Sequence, residues 1–455
     1  MPVQGDALDA KFTMKPGALQ TIERVNQLWL DDAFVQHLDY LEGRSGGHRL
    51  FLSFKDARHL DFSRQNLARA EMVAARLSHA RFVSTCLARS NLFGADFERA
   101  DMRECDLERA DLRGGNLSFA NLENANLQEA DVRNGFILIQ DKDGNLVPIK
   151  SGTTEIEGVN LSGANLSGAR LGRVVGPRTN LTNAKLTNAR LVAANLADSD
   201  VRGADFSGAD LTDADLSGCI FQGAMLSGAI LNNTNLEGAD LTAAHFVPAE
   251  LRYANTQNIR LPRNAAELDK TIVEIVTEHG LWVKSLGREG VQADLSRVDL
   301  QKIDLAGIDL QAAILTLANL SYSSLCATRL IMADMTGLLA LEADFSDADM
   351  RGARLDRVNM CRASLRMANF GPLALIGLTG HKVPTNMREA KLDGADMSDA
   401  NLEGANLTRA TLCNASLKDA QLRDAVLVDA DLTGADLRGA NIDLADTRGA
   451  IGLRP

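Results

Sequence analysis

Aromatic residues supply only 4% of this 455-residue chain, and proline occurs nine times. Large rings cannot fill a core at that abundance, so whatever packs the interior must be aliphatic and small. No apolar stretch approaches the roughly 18 residues of a membrane span, and residues 1–15 lack the apolar run of a signal peptide. We therefore expect a cytoplasmic protein without membrane contact. The six cysteines, Cys86, Cys105, Cys219, Cys326, Cys361 and Cys413, show no CxxC spacing, which argues against a disulfide framework or a thiolate metal site and suits a reducing compartment.

Catalytic patterns are missing too. The seven histidines form no HExxH or similar pair, and no glycine loop of phosphate- or dinucleotide-binding type opens a helix. Asp141-Lys142-Asp143-Gly144-Asn145 has the opening of a calcium loop, but Gly152 stands where the bidentate Glu belongs, so a hairpin turn is the better reading. No enzyme, metal or cofactor is expected.

What is present is a period of five. Leu or a close apolar substitute recurs every fifth residue through four arrays, 62–132, 161–251, 295–370 and 387–442, with Gly176 and Ala340 as the exceptions. Ala most often stands two places earlier and Asp or Asn one place earlier. A helix turns about 100° per residue and a strand alternates with period two, so neither gives a fixed face to this spacing. A chain that turns a corner every five residues does, with one large and one small side chain pointing inward from each side. Units this short fold only by stacking, which makes the architecture an all-β solenoid.

Charge placement counts the sides. If successive coils stack at the strand spacing of about 4.8 Å, acids one coil apart lie over each other and repel. Within the arrays, acids in the outward position just before the central residue recur freely at separations of five and ten, yet only Asp111 and Asp131 are twenty apart. Runs such as Asp200, Asp205, Asp210 and Asp215 go once round and stop. Twenty residues per coil, four sides of five, is the expected winding. Phe62 and Phe82 would then be vertical neighbours.

Stretches such as Ala204-Asp205-Phe206-Ser207-Gly208-Ala209-Asp210-Leu211 and Ala400-Asn401-Leu402-Glu403-Gly404-Ala405-Asn406-Leu407 resemble the pentapeptide-repeat family, whose unit is A-(D/N)-L-X-X. The resemblance implies a right-handed quadrilateral β-helix with the central residue and the small residue inside.

Breaks in the register set the domain plan. Residues 1–59 read as an N-terminal helical cap, the helix spanning 16–43 with Leu19, Ile22, Val25, Val35, Leu38 and Leu41 at helical spacing. A second helix is expected in a linker or cap at 261–292, capped by Asn264 with Glu267, its face formed by Leu268, Ile272, Ile275, Val276, His279, Val283 and Leu286. Arrays occupy 60–135, 158–260, 293–370 and 387–455, with insertions at 136–157, hairpin-like, and 371–386. The recurrence of helix, array, insertion and array predicts a tandem duplication of 16–260 and 264–455. His37 and Tyr40 match His279 and Trp282.

The function expected is a non-enzymatic scaffold, a protein-interaction rod of about 15 coils and about 75 Å of combined length. Insertions leave a solenoid's faces and often carry binding, so Ile137, Ile139, Val147, Leu373, Leu375 and Ile376 are the candidate contacts for a protein partner. A homodimer through the C-terminal end is a further expectation. The net charge of −12 and the family resemblance imply an alternative, a DNA-mimicking binder of a type II topoisomerase such as gyrase. Against it, Arg64, Arg69, Arg76, Arg81 and Arg89 interrupt any continuous negative face. No basic aromatic patch suggests direct nucleic-acid binding.

Overall fold

The computed structural model describes residues 10–14, 22–140, 146–148, 152–246, 248–374 and 382–453. The chain divides into two compact units, residues 1–240 with 245–260, and residues 241–244 with 261–455. Ladders of single parallel bridges dominate each unit. Asp56 pairs with Arg76, Arg76 with Asp96 and Asp96 with Asn116, and in the second unit Asp304 pairs with Ser324, then Ser324 with Asp344. Each of these steps is twenty residues, as the acid spacing predicts.

One side of a coil shows why five residues suffice. Asp106 N–H donates to Thr85 O, Leu107 N–H to Asn126 O and Arg109 N–H to Gln128 O, all in neighbouring coils. Ala110 N–H turns back to Leu107 O at 3.0 Å, closing a β-turn whose third residue, Arg109, has φ of 56°. That geometry is a type II turn. The remaining donor, Glu108 N–H, reaches Asp106 Oδ1 at 3.1 Å. All five N–H groups are satisfied, four by backbone and one by the Asp or Asn in the outward position, which satisfies the backbone accounting that burial demands.

The inward positions form columns. Phe62 and Phe82 stack with ring centroids 4.3 Å apart and planes 12° from parallel. The two exceptions in the central position have local causes. A Cβ on Gly176 would clash with Ile156 Cγ1, one coil away. Ala340 is compensated by Leu338, which occupies the small slot; both are buried.

Proline breaks the coil at Pro248. It occupies the corner position where other coils hold φ near +60°, a value its ring forbids. The segment forms a 3-10 helix instead, Pro248–Tyr253, so Leu251 is half-buried outside the regular pattern. The expected first helix is also shorter. Arg24 bridges to Asp56 as an extra rung, and α1 spans Gln27–Leu41 with Asn26 as its cap. Its buried face is Leu30, Phe34 and His37, whereas Val35 and Leu38 are 64% and 43% exposed. Pinning residues 23–25 as a strand sets the rotation, and Phe34 then lies edge-on to Phe62 at 5.7 Å.

The second helix, α2 at Ile272–Lys284, is capped by Thr271 with Glu274 in a reciprocal capping box. Asn264 caps only a short 3-10 turn, Ala265–Glu267. Ile272, Ile275, Val276 and Leu268 pack against the unit's core, while Leu286 lies past the helix and is exposed, with φ of 56°. Gly176→Ala is expected to lower the stability of the first unit by about 1–3 kcal/mol, and adding Ile156→Ala to recover part of the loss. A double variant no more stable than the sum of the singles, in a denaturant titration, would refute the column geometry.

Candidate functional site

The insertions leave and rejoin the coils without disturbing the ladders. Across the first, Asn116 pairs with Glu155 and Asp131 with Arg170; across the second, Arg354 pairs with Asn386 and Asn369 with Asn401. A threonine in the small inward slot anchors each return. Thr154 Oγ1 accepts from Gly114 N–H at 2.8 Å and donates to Arg133 O at 2.7 Å. Thr385 Oγ1 accepts from Gly352 N–H at 3.0 Å and donates to Met350 O at 3.1 Å. The anchored corners share the pattern Asp-apolar-Arg-Gly, as Asp111-Leu112-Arg113-Gly114 and Asp349-Met350-Arg351-Gly352. Asp200-Val201-Arg202-Gly203 and Asp436-Leu437-Arg438-Gly439 repeat that pattern at coils without an insertion, so it does not by itself mark an anchor.

In the first insertion, β2 (Gly135–Gln140) pairs antiparallel with β3 (Leu146–Pro148), placing Ile139 opposite Val147. The other edge of β2 is taken by β1 (Ala10–Met14), running parallel, with Phe12 opposite Ile137. Nothing in the sequence pattern signals that pairing. In the second, β4 (Leu373–Ala374) pairs antiparallel with β5 (Lys382–Val383), Leu373 opposite Val383. Leu373 is half-buried against the Gly352 corner. Leu375 and Ile376 lie outside the described residues, as do Asp141-Lys142-Asp143-Gly144-Asn145 of the hairpin turn.

Each helix is fastened to its first coil by a buried histidine. His37 Nδ1 accepts from Leu50 N–H at 2.9 Å and Nε2 lies 3.1 Å from Ala68 O. His279 Nδ1 accepts from Ala293 N–H at 3.0 Å. The rings stack on Tyr40 and Trp282 at 5.7 and 5.6 Å. Burial holds both imidazoles below their ordinary pKa of 6.5, in keeping with an acceptor nitrogen that must stay unprotonated.

Other reactive groups serve the coil. Cys105 and Cys219 sit in the small slot and donate S–H to Phe82 O and Leu196 O, as Thr85 and Ser90 hydroxyls do to Phe62 O and Leu67 O. Burial pushes the Cys219 thiol up to about 12 and Cys105 further, so both are poor nucleophiles. Among the described residues no disulfide joins any of the six cysteines. Asp111 over Asp131 is the one described bridge joining two acids. Arg113 forks to Asp111 at 2.6 Å, and Arg133 and Arg170 reach Asp131 at 2.8 and 3.6 Å. Burial alone would raise the Asp131 carboxyl, but these guanidinium groups outweigh it and hold it below the usual range.

An open cleft of about 490 Å³ lies between the start of α2 and the first coil of its unit, lined by Arg263, Glu267, Lys270, Glu278 and Asp294 among others. Lys270 and Glu278 pair within it. Among the described residues no three His, Cys, Asp or Glu side chains gather to hold a metal, and no helix is long and apolar enough to cross a membrane.

The family model for pentapeptide repeats matches in eight copies, at residues 90–129, 155–191, 189–228, 219–258, 293–330, 342–371, 385–409 and 405–443, together more than half of the chain. The chain belongs to the pentapeptide-repeat family. No curated protein matches its sequence. Similar solved structures include a trypsin-treated variant of QnrB1, a plasmid-mediated fluoroquinolone resistance protein, at 17% identity over 52% of this chain and 97% of that one, with a TM-score of 0.23. HetL from Nostoc sp. strain PCC 7120, involved in heterocyst differentiation regulation, is 23% identical over 78% and 89%, with a TM-score of 0.14. A pentapeptide-repeat protein from the Arabidopsis thaliana thylakoid lumen is 28% identical over 28% and 68%, with a TM-score of 0.17. The family assignment rests on the repeat and not on these superpositions.

In this pentapeptide-repeat chain the histidine fasteners give a pH dependence with a definite sign. The unfolded chain takes up protons near pH 6.5, the folded histidines only at lower pH, so stability is full above about 6.5 and falls as acid is added below it. Relative to the parent, His37→Gln should flatten this fall for the first unit and His279→Gln for the second, in thermal melts at pH 7.5 and 5.5. Parallel pH slopes in parent and variants would remove the fasteners' assigned role.

Proposed function

We propose that this pentapeptide-repeat protein is a non-catalytic scaffold that binds a protein partner through its insertions. We also infer that each unit winds as a right-handed quadrilateral β-helix, and that residues 16–260 and 264–455 arose by tandem duplication. The twenty-residue ladders support the winding; paired histidine fasteners and threonine anchors support the duplication. Cysteines that form no disulfide among the described residues are compatible with a reducing, cytoplasmic setting.

The observation that carries the scaffold reading is the ladder's continuity across both insertions. Coils that regain their register on either side have no need of the inserted chain for their own pairing. The insertions therefore serve something other than the winding, and binding is the role such excursions suit. Ile137, Ile139, Val147, Leu373, Leu375 and Ile376 remain the proposed contacts.

The topoisomerase reading has one feature in its favour. Asp304, Asp344, Asp396 and Asp436 alternate with Ser324, Ser364 and Ser416 along one column, a regular line of negative charge. Arg366 near Asp396 at 3.6 Å and Arg438 on Asp436 at 2.6 Å partly cancel it, and a duplex mimic needs that potential unbroken. The scaffold is the stronger reading.

Gly135 N–H donates to Gly152 O at 2.7 Å, so the first insertion can be excised and the gap closed. Deletion of residues 136–151 is expected to leave cooperative melting of the coils intact and to abolish co-purification of a partner from the native host. Capture that survives the deletion places binding elsewhere. Inhibition of gyrase supercoiling by the purified chain would instead favour the mimic.

A further inference from the structure

The corner column of the first unit that begins at His59 carries two solvent-exposed imidazoles in adjacent coils. His59 and His79 hold φ of 65° and 60°, and their rings stack with centroids 5.0 Å apart and planes 14° from parallel. His59 N–H donates to Ser78 O, which fixes the two corners one above the other. We propose that His59 and His79 form a two-imidazole site for a late first-row divalent transition metal, Cu²⁺ or Ni²⁺, with water in the remaining positions.

Imidazole is a preferred ligand for these ions, and affinity rises along the series to copper. Two nitrogens each about 2.0–2.1 Å from one ion must approach to roughly 3 Å of each other. The stacking already brings the rings to 5.0 Å, and both side chains stand in solvent, free to converge through their torsions. The backbone supplies what a surface pair usually lacks, since the two corners are locked by the coil ladder and not by a mobile loop.

Two cations flanking the pair are engaged by other groups. Arg58, beside His59, forks onto Asp56 at 2.9 and 2.6 Å. Arg99, the next residue in the column, lies over the Phe119 ring at 5.5 Å, with Glu98 3.8 Å from its Nε. Asp96 adds a further carboxylate within electrostatic range of Arg58. Metal-bound imidazole must be unprotonated, so acid competes with the ion.

The test uses the full chain and NiCl₂ or CuCl₂ followed by isothermal titration at pH 7.5. One ion per chain is expected, with affinity at least tenfold weaker in each of His59→Asn and His79→Asn. Asn tolerates the left-handed corner, so each variant should keep the parent's circular dichroism and melting transition without metal. His48→Asn and His245→Asn should bind as the parent does. A loss of twofold or less in the single variants would mean independent imidazoles and overturn the site, as would the absence of binding by the parent. An equal loss in His48→Asn or His245→Asn would overturn it as well.

Discussion

The corner residue in the left-handed region, repeated every five residues, is the constraint on which the structure depends. An L-residue there gives up roughly 1–2 kcal/mol relative to ordinary backbone, and many corners are filled by Arg, Asp, Asn or Glu and not by glycine. What holds them is the combination around each corner. A central Leu is buried at roughly 1.5–3 kcal/mol, three N–H groups bond to adjacent coils, one closes the turn, and the outward Asp or Asn takes the last. The Asp and Asn that read in sequence as outward residues are therefore turn-forming groups as well. Where proline replaces the corner residue, at Pro248, the coil fails locally.

Much of this was legible before the structure. The twenty-residue coil followed from the rarity of stacked acids, and Phe62 on Phe82 from the coil length. The hairpin was visible as alternating apolar residues about a turn sequence. Less legible was anything decided by how an end meets a coil. The faces of α1 at Leu30, Phe34 and His37 and at Val35 and Leu38 both satisfy helical spacing, and only the pinning of Arg24 on Asp56 chooses between them. Asn264 with Glu267 and Thr271 with Glu274 both satisfy a capping rule, and the structure uses the second pair for the longer helix.

The candidate contacts show the same division. The partnership of Ile139 with Val147 is local and readable, the two lying eight positions apart in sequence. The parallel pairing of β1 with β2 joins residues more than a hundred positions apart through plain hydrogen bonds between backbones, and such contacts leave no mark on residue choice. That pairing bears on recognition. With both neighbours of β2 supplied by the chain itself, a partner cannot add a strand beside it there, and contact through side chains becomes the mode that fits.

Vertical neighbours explain both the tolerance and the specificity of the surface. A residue in one coil meets the residue twenty positions on, so each outward position has a partner above and below that selection can adjust one substitution at a time. Asp111 over Asp131 survives because Arg113, Arg133 and Arg170 surround it, a cluster that would be unnecessary if either acid were Asn. Asn ladders such as Asn180 onto Asn160 and Asn160 onto Asn121 meet the same geometric demand without charge. Two histidines at successive corners follow from the same rule, since the ladder that penalises like charges also brings two imidazole ligands together. In such a winding a new site requires no new fold, only two suitable residues one coil apart.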